Sequence, residues 1–211
     1  MNLSKARKIL ELSLAEYSRV RATYYSSVYD IVSTFLTGKG STTGPSNSMK
    51  RAMSDAVFAT GTIAWQDGGA ELPIEQEAFD LIQSIHSGEL VNIDTLFQRL
   101  LSLRRDTSKN ELDLVAEQEA GDRAEGYCGT LDFLYSQVKL LAGGNKMLTF
   151  VGVDGQSPFP CPERRRYKNK RHSAKWWVQN DAVPGSVTGF TCKGYNCKHV
   201  LVDDGGQIWT L

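Results

Sequence analysis

The chain lacks a long hydrophobic run. No stretch of its 211 residues approaches the roughly 18–20 apolar residues that span a bilayer. The N-terminal segment carries charges through its first turns and has no apolar signal-peptide core, so we expect a protein made in the cytosol. With 41% hydrophobic and 23% charged residues, the composition is typical of a soluble globular protein.

Cysteine is scarce, with four residues in the chain. That number is too small for a disulfide scaffold, and a reducing compartment favours thiols or metal ligands. Nevertheless Cys161, Cys192 and Cys197 fall in the C-terminal quarter, together with His172 and His199. Thiolates and imidazoles in two close-spaced pairs are the ligands that structural zinc prefers. The spacing leaves three alternatives open, namely a zinc site, a disulfide and reduced thiols.

The chain has no net charge, but its charges are segregated. Acids cluster in residues 71–80 and 111–122, whereas residues 164–175 contain bases and no acid. Segregation of this kind predicts a partner surface of opposite sign, such as another copy of the chain. The candidate interaction residues are therefore the seven bases of the segment, Arg164, Arg165, Arg166, Lys168, Lys170, Arg171 and Lys175.

Two tryptophans follow this basic segment. Basic side chains can neutralise phosphates, and indoles can stack on nucleobases. One alternative is therefore a nucleic-acid-binding accessory protein. However, Trp176 and Trp177 come after the basic run instead of alternating with it. Neighbouring tryptophans in a small module more often anchor its core, so the sequence favours a contact with an acidic protein surface.

No catalytic constellation is visible. His86 lies on a predicted helix without a partner serine or cysteine nearby, and the glycine-rich residues 38–44 lack the P-loop pattern. The carboxylates of residues 117–125 are typical of a solvated helix face. We therefore expect the protein not to be an enzyme and to need no cofactor, with Zn²⁺ as the one exception left open.

Hydrophobic spacing predicts an α+β fold with a mostly helical body of about five helices, one of them long. The helices are expected over residues 4–36, 48–65, 73–87, 92–101 and 110–141, with Gly88 ending the third. The first of these is either one long helix or two helices joined near Ser26. The expected inner stripe of the long helix runs through Leu112, Val115, Glu119, Arg123, Tyr127, Leu131, Leu134, Val138 and Leu141, and is polar in its middle.

The helical spacing of hydrophobic residues ends near residue 143. A strand is expected over residues 147–153, followed by a β-hairpin with strands over residues 199–202 and 207–210 and with the turn Asp203-Asp204-Gly205-Gly206. We therefore predict a helical domain over residues 1–143 and a small Cys/His/Trp-rich α+β module over 144–211.

The C-terminal module also resembles a known family. The residues that carry the resemblance are Phe150-Val151-Gly152, Cys161-Pro162-Glu163, His172 to Trp177, and Cys192 to Val202. In this order they are similar to the C-terminal domain of phage minor head proteins of the Mu F type, the head-morphogenesis proteins. Two positions depart from the family pattern, since Arg164 replaces the second cysteine of a C-x-x-C and His199 replaces the last cysteine.

The resemblance implies a bacteriophage virion protein that is assembled in the host cytoplasm. Such a minor head or head–tail connector (neck) component would bind the portal or neighbouring virion proteins during head assembly. The segregation of acids and bases further predicts a homo-oligomeric ring in the assembled particle, with packaged DNA as a further contact and no membrane. The family pattern implies no chemistry, and a zinc-stabilised adaptor is the second alternative.

Overall fold

A computed structural model of the chain describes residues 3–39, 44–152, 166–186, 189–190 and 199–211, with the side chains of the first helix described from residue 14. These residues form five helices and three strands, which confirms an α+β fold with a mostly helical body. None of the described helices is long and apolar enough to cross a membrane. The elements are α1 (Leu3–Thr37), α2 (Pro45–Asp67), α3 (Gln76–Asp106), α4 (Leu112–Gly143), β1 (Met147–Gly152), β2 (Arg171–Ser173), α5 (Ala174–Gln179) and β3 (His199–Val202).

The third and fourth predicted helices are one continuous helix, α3. The expected stop at Gly88 is wrong, because this glycine lies in the middle of α3. A single glycine costs a helix only about 1 kcal/mol relative to alanine. Packing of fully buried Ile82 before it and Ile93 after it outweighs that cost.

The chain divides into two compact units, and the division falls inside α2, α3 and α4. The first unit comprises residues 1–60 and 79–131, and the second comprises residues 61–78 and 132–211. The second unit therefore contains the C-terminal module expected from the sequence, extended by residues 61–78 and 132–143.

The first unit is built from α1 and from long parts of α2, α3 and α4. Its buried face on α4 carries small side chains at intervals of four, which lets neighbouring helices approach closely. In this half of α4, the inner stripe expected from the sequence is therefore wrong. Two of its residues, Glu119 and Arg123, instead form an (i, i+4) ion pair at 2.6 Å. The buried residues of this face are Ala116, Ala120, Ala124 and Cys128.

The end of α1 is fixed by an arginine of α3. Arg104 donates a hydrogen bond at 3.1 Å to the carbonyl of Phe35, a last-turn group that also accepts the N–H of Gly38 at 3.4 Å. Gly38 follows with φ +69°, and a Cβ there would lie 2.5 Å from the Arg104 guanidinium. Glycine thus serves both as the left-handed C-terminal cap and as the space for this arginine.

The second unit contains a three-stranded antiparallel sheet in the order β2-β1-β3. β1 agrees with the expected strand, and β2 lies inside the basic segment of residues 164–175, where no strand was expected. Ser173 begins α5, because its hydroxyl accepts the N–H of Trp176 at 3.2 Å. The core on the sheet consists of Leu140, Leu148, Phe150, Tyr167, Ala174, Trp177, Ala182, Val183, Phe190, Leu201 and Trp209.

The hairpin after β3 is confirmed at the expected turn. The N–H of Gly206 donates to the carbonyl of Asp203 at 2.9 Å, and Gly206 adopts φ +77°. The returning arm pairs with β3 through a single bridge between Val202 and Ile208, so it is shorter than the expected strand. Trp209 completes the pairing by donating its backbone N–H to Leu201 at 2.8 Å.

Candidate functional site

The sheet of the second unit places both candidate histidines on its core face. Side chains alternate along a strand, so Leu148 and Phe150 point to the same buried side of β1. His172 on β2 lies opposite Leu148, and His199 on β3 lies opposite Gly152, which puts both histidines on that side. Each ring stacks on an aromatic neighbour, His172 on Trp176 at 3.6 Å and His199 on Phe150 at 5.0 Å between centroids.

These two histidines are too far apart to share a metal ion. The register separates them by four residues along the sheet and by two strands across it, which is roughly 16 Å between Cα atoms. Histidines that share a zinc ion bring their nitrogens within about 4 Å of each other. The two histidines are therefore alternatives to each other, so at most one of them can join the candidate cysteines in a zinc site, and His172 packs on Trp176.

The three candidate cysteines, Cys161, Cys192 and Cys197, lie outside the described residues. Among the residues that the structure does describe, no three histidine, cysteine or acidic side chains converge as a metal site would require. The fourth cysteine, Cys128, is fully buried in the first unit, and its thiol lies 3.6 Å from the carbonyl of Arg21.

The basic segment has two parts with different roles. Its C-terminal bases form ion pairs within the second unit, Arg171 with Asp204 at 2.6 Å and Lys175 with Glu77 at 2.5 Å. The hydrogen bond to Glu77 raises the pKa of the Lys175 ammonium. The same bond lowers the pKa of the Glu77 carboxyl.

The preceding bases of the segment are exposed. Arg166, Lys168 and Lys170 surround the buried ring of Tyr167, over which the Arg166 guanidinium lies at 5.0 Å. No ion pair of Lys168 or Lys170 is found within the described part of the chain. Arg164 and Arg165 lie outside the described residues. We call Arg166, Lys168 and Lys170 the basic patch.

The second unit also contains a buried ionic cluster that the sequence did not predict. Lys139 lies 3.6 Å from the carboxylate of Asp67, with 4% of the lysine side chain and none of the aspartate side chain exposed. Tyr135 donates its hydroxyl to the same carboxylate. Burial raises the pKa of Tyr135 and lowers that of Lys139, the latter partly opposed by Asp67. The sequence contains one indication of this cluster, a lysine within the apolar run of residues 138–141.

The first unit brings His86 next to a serine. Ser54 Oγ lies 2.7 Å from His86 Nε2, so the expectation that this histidine has no nearby serine is wrong. The Ser54 hydroxyl donates to the carbonyl of Lys50 at 2.9 Å, which leaves Oγ to accept the ring N–H. In this arrangement the imidazole holds the serine oxygen in place and does not take its proton, as a catalytic base would.

A polar cleft of 290 Å³ lies between α3 and α4 in the first unit. Burial raises the pKa of Glu89, and it raises that of Tyr127 to about 12. Arg123 also lines this cleft, and its charge is neutralised by the ion pair with Glu119. The remaining lining side chains include Asn92, Thr95, Arg99, Asp122 and Thr130.

The comparisons with known proteins give no relative for this chain: no family model, no curated protein and no solved structure matches it.

Proposed function

We propose that the protein is a bacteriophage virion structural protein, a minor head or head–tail connector component that binds the portal or neighbouring virion proteins. The proposal begins from the resemblance of the C-terminal residues to the Mu F-type minor head proteins. It gains support from the place of those residues in the fold. Phe150, His172, Trp176 and Trp177 belong to one aromatic core, so the shared pattern is one of packing.

The basic patch is the observation that carries the partner part of the proposal. Lys168 and Lys170 are exposed beside the core of the second unit. The backbone of Lys170 is held there, because its N–H donates to the carbonyl of Tyr167 and its carbonyl accepts the N–H of Phe150. Charges on a fixed backbone present a defined surface to an acidic partner, and such surfaces govern association rate and specificity. The Lys175–Glu77 pair shows the same kind of charge matching within the unit.

Binding to the portal protein encoded in the same genome tests this proposal. We expect Lys168→Glu/Lys170→Glu to weaken the binding about tenfold, which corresponds to about 1.4 kcal/mol. Arg51→Glu/Lys109→Glu is the matched control, because both residues are exposed in the first unit. Sedimentation of mixtures at low and high salt gives the affinities, and binding should fall as salt rises.

Two results would contradict the proposal. One is portal binding that is absent in the parent or unchanged by the patch reversal. The other is tight binding to DNA without any capsid protein, with a steep salt dependence that the patch reversal abolishes. That second result would favour the nucleic-acid-binding alternative.

A further inference from the structure

Lys139 and Asp67 are opposite charges in an almost water-free part of the second unit. The ammonium nitrogen lies 3.6 Å from Oδ2, and 4% of the lysine and none of the aspartate side chain is exposed. The ring centroids of Tyr135 and Trp209 lie 5.6 and 5.4 Å from the same nitrogen. Aromatic walls exclude water here, and a charge pair without water is costly unless hydrogen bonds satisfy both partners.

The hydrogen bonds around this pair are incomplete. Tyr135 donates its hydroxyl to Oδ2 of Asp67, but Oδ1 accepts no hydrogen bond from any described group. Burial also lowers the pKa of Lys139, which favours the neutral amine over the ammonium. A neutral amine is the nucleophilic form of lysine, and a desolvated pocket is where proteins use it.

The two backbones are in contact at this point, so little movement is needed to join the side chains. Gly68 follows Asp67, and a Cβ on it would lie 2.5 Å from the carbonyl oxygen of Lys139. The same Cβ would lie 2.4 Å from the Cβ of Ala142. The backbones that carry the two side chains are therefore close together, and the side chains to be joined already lie 3.6 Å apart, from Nζ of Lys139 to Oδ2 of Asp67.

We propose that Lys139 and Asp67 are a modification site at which an intramolecular isopeptide bond forms. The ammonium first gives one proton to Oδ1, which leaves a neutral amine beside a carboxylic acid. The nitrogen lone pair then attacks Cγ and forms the C–N bond. The C–Oδ1 bond breaks, and Oδ1 departs as water with a second proton from the same nitrogen. The amide keeps one N–H, and no oxidant or reductant takes part.

Tyr135 supports this step through its hydrogen bond to Oδ2. Negative charge develops on Oδ2 when the nitrogen attacks, and a fixed donor stabilises such charge. Oδ2 becomes the carbonyl oxygen of the amide and keeps the Tyr135 hydrogen bond. The product replaces two buried charges with one neutral amide, which removes the cost of the unsatisfied ion pair.

Mass spectrometry of the purified full-length chain tests the proposal directly. We expect an intact mass lower than the sequence mass by one water. After digestion, the peptide that contains Asp67 should be joined to the peptide that contains Lys139. Lys139→Arg should restore the full mass, whereas the control Lys146→Arg, at the exposed lysine paired with Asp203, should keep the loss.

The parent chain alone decides the outcome, so the folding of the variants does not matter. A parent with the full sequence mass and separate peptides would overturn the proposal and leave an ordinary buried ion pair. If the bond forms, Tyr135→Phe should lower the joined fraction at a fixed time after synthesis. This measurement does not involve portal binding, so its outcome neither supports nor contradicts the proposed function.

Discussion

The indole N–H of Trp209 donates to the carboxylate of Asp203 at 3.3 Å, which ties the returning arm of the hairpin to its own turn. The same carboxylate accepts the N–H of Gln207 at 2.9 Å and pairs with Lys146 at 2.9 Å. Burial pushes the pKa of Asp203 up, but the hydrogen bonds from Lys146, Gln207 and Trp209 outweigh burial and hold it below its usual value. One aspartate thus organises the C-terminal hairpin.

Asp203→Asn should therefore destabilise the protein in a pH-dependent way. A carboxyl with a lowered pKa contributes stability above its unfolded pKa, about 3.9, and loses it as the pH falls through the folded value. We expect a loss of about 1–3 kcal/mol in the free energy of unfolding at pH 7. The gap between parent and variant should narrow below about pH 4.

Urea unfolding at pH 7 and at acidic pH measures this effect. Asp204→Asn is the matched control, because Asp204 is 74% exposed and its pair with Arg171 contributes little. An equal loss for both variants, or a gap that stays constant with pH, would argue against the role of Asp203.

Trp177→Ala should destabilise the second unit strongly. Trp177 is fully buried against Phe150, Tyr167 and His172, and truncation of a buried aromatic costs about 3–5 kcal/mol. Trp176→Ala is expected to cost less, since Trp176 is only partly buried. Thermal unfolding followed by circular dichroism compares them, and a Trp177→Ala protein as stable as the parent would place this indole on the surface.

Alanine substitutions at two glycines of α4 should change the stability of the protein in opposite directions. A Cβ on Gly143 would lie 2.6 Å from the Trp209 ring and 3.3 Å from Ala174, so we expect a loss of about 1–3 kcal/mol. A Cβ on Gly126 would meet no atom within 4 Å, so alanine there should raise stability by up to about 1 kcal/mol. Chemical unfolding of both variants checks the signs, and a neutral Gly143→Ala would show that Trp209 moves freely.

His172→Asn should leave the metal content of the protein unchanged. His172 stacks on Trp176 and lies far from His199, so it is not a ligand of any metal bound near His199. Elemental analysis of protein purified without chelator compares parent, His172→Asn and His199→Asn. A loss of zinc in His172→Asn would contradict this assignment, and absence of zinc with unchanged stability in EDTA would eliminate the zinc-stabilised adaptor.

Local patterns predicted most of the elements. The 3.6-residue spacing of apolar side chains placed α1 and α2 within a few residues of their ends, and Asp203 to Gly206 identified the turn. The error at Gly88 arose because a local stop signal was weighed without the packing of α3 on either side. Propensity is a weak prior that tertiary contacts override.

The site was harder to predict, because its contacts join distant parts of the chain. Nothing near Asp67 in the sequence indicates that it pairs with Lys139, or that Glu77 pairs with Lys175. Alanines at intervals of four on α4 form the buried face. The prediction instead followed the larger apolar residues of the helix and so placed the inner face on other positions. Spacing alone does not reveal sheet register, which separates His172 from His199, so the sequence could not show that these two histidines cannot share one metal ion.

Quantitative mass spectrometry of purified phage particles, produced from the genome that encodes this chain, tests the central proposal most directly. We expect the chain in full heads at a low and constant copy number relative to the major capsid protein. Reversal of Lys168 and Lys170 should reduce that copy number, whereas the Arg51/Lys109 control should not. Particles that form normally and contain none of this chain, while the host cytoplasm holds all of it, would contradict the account.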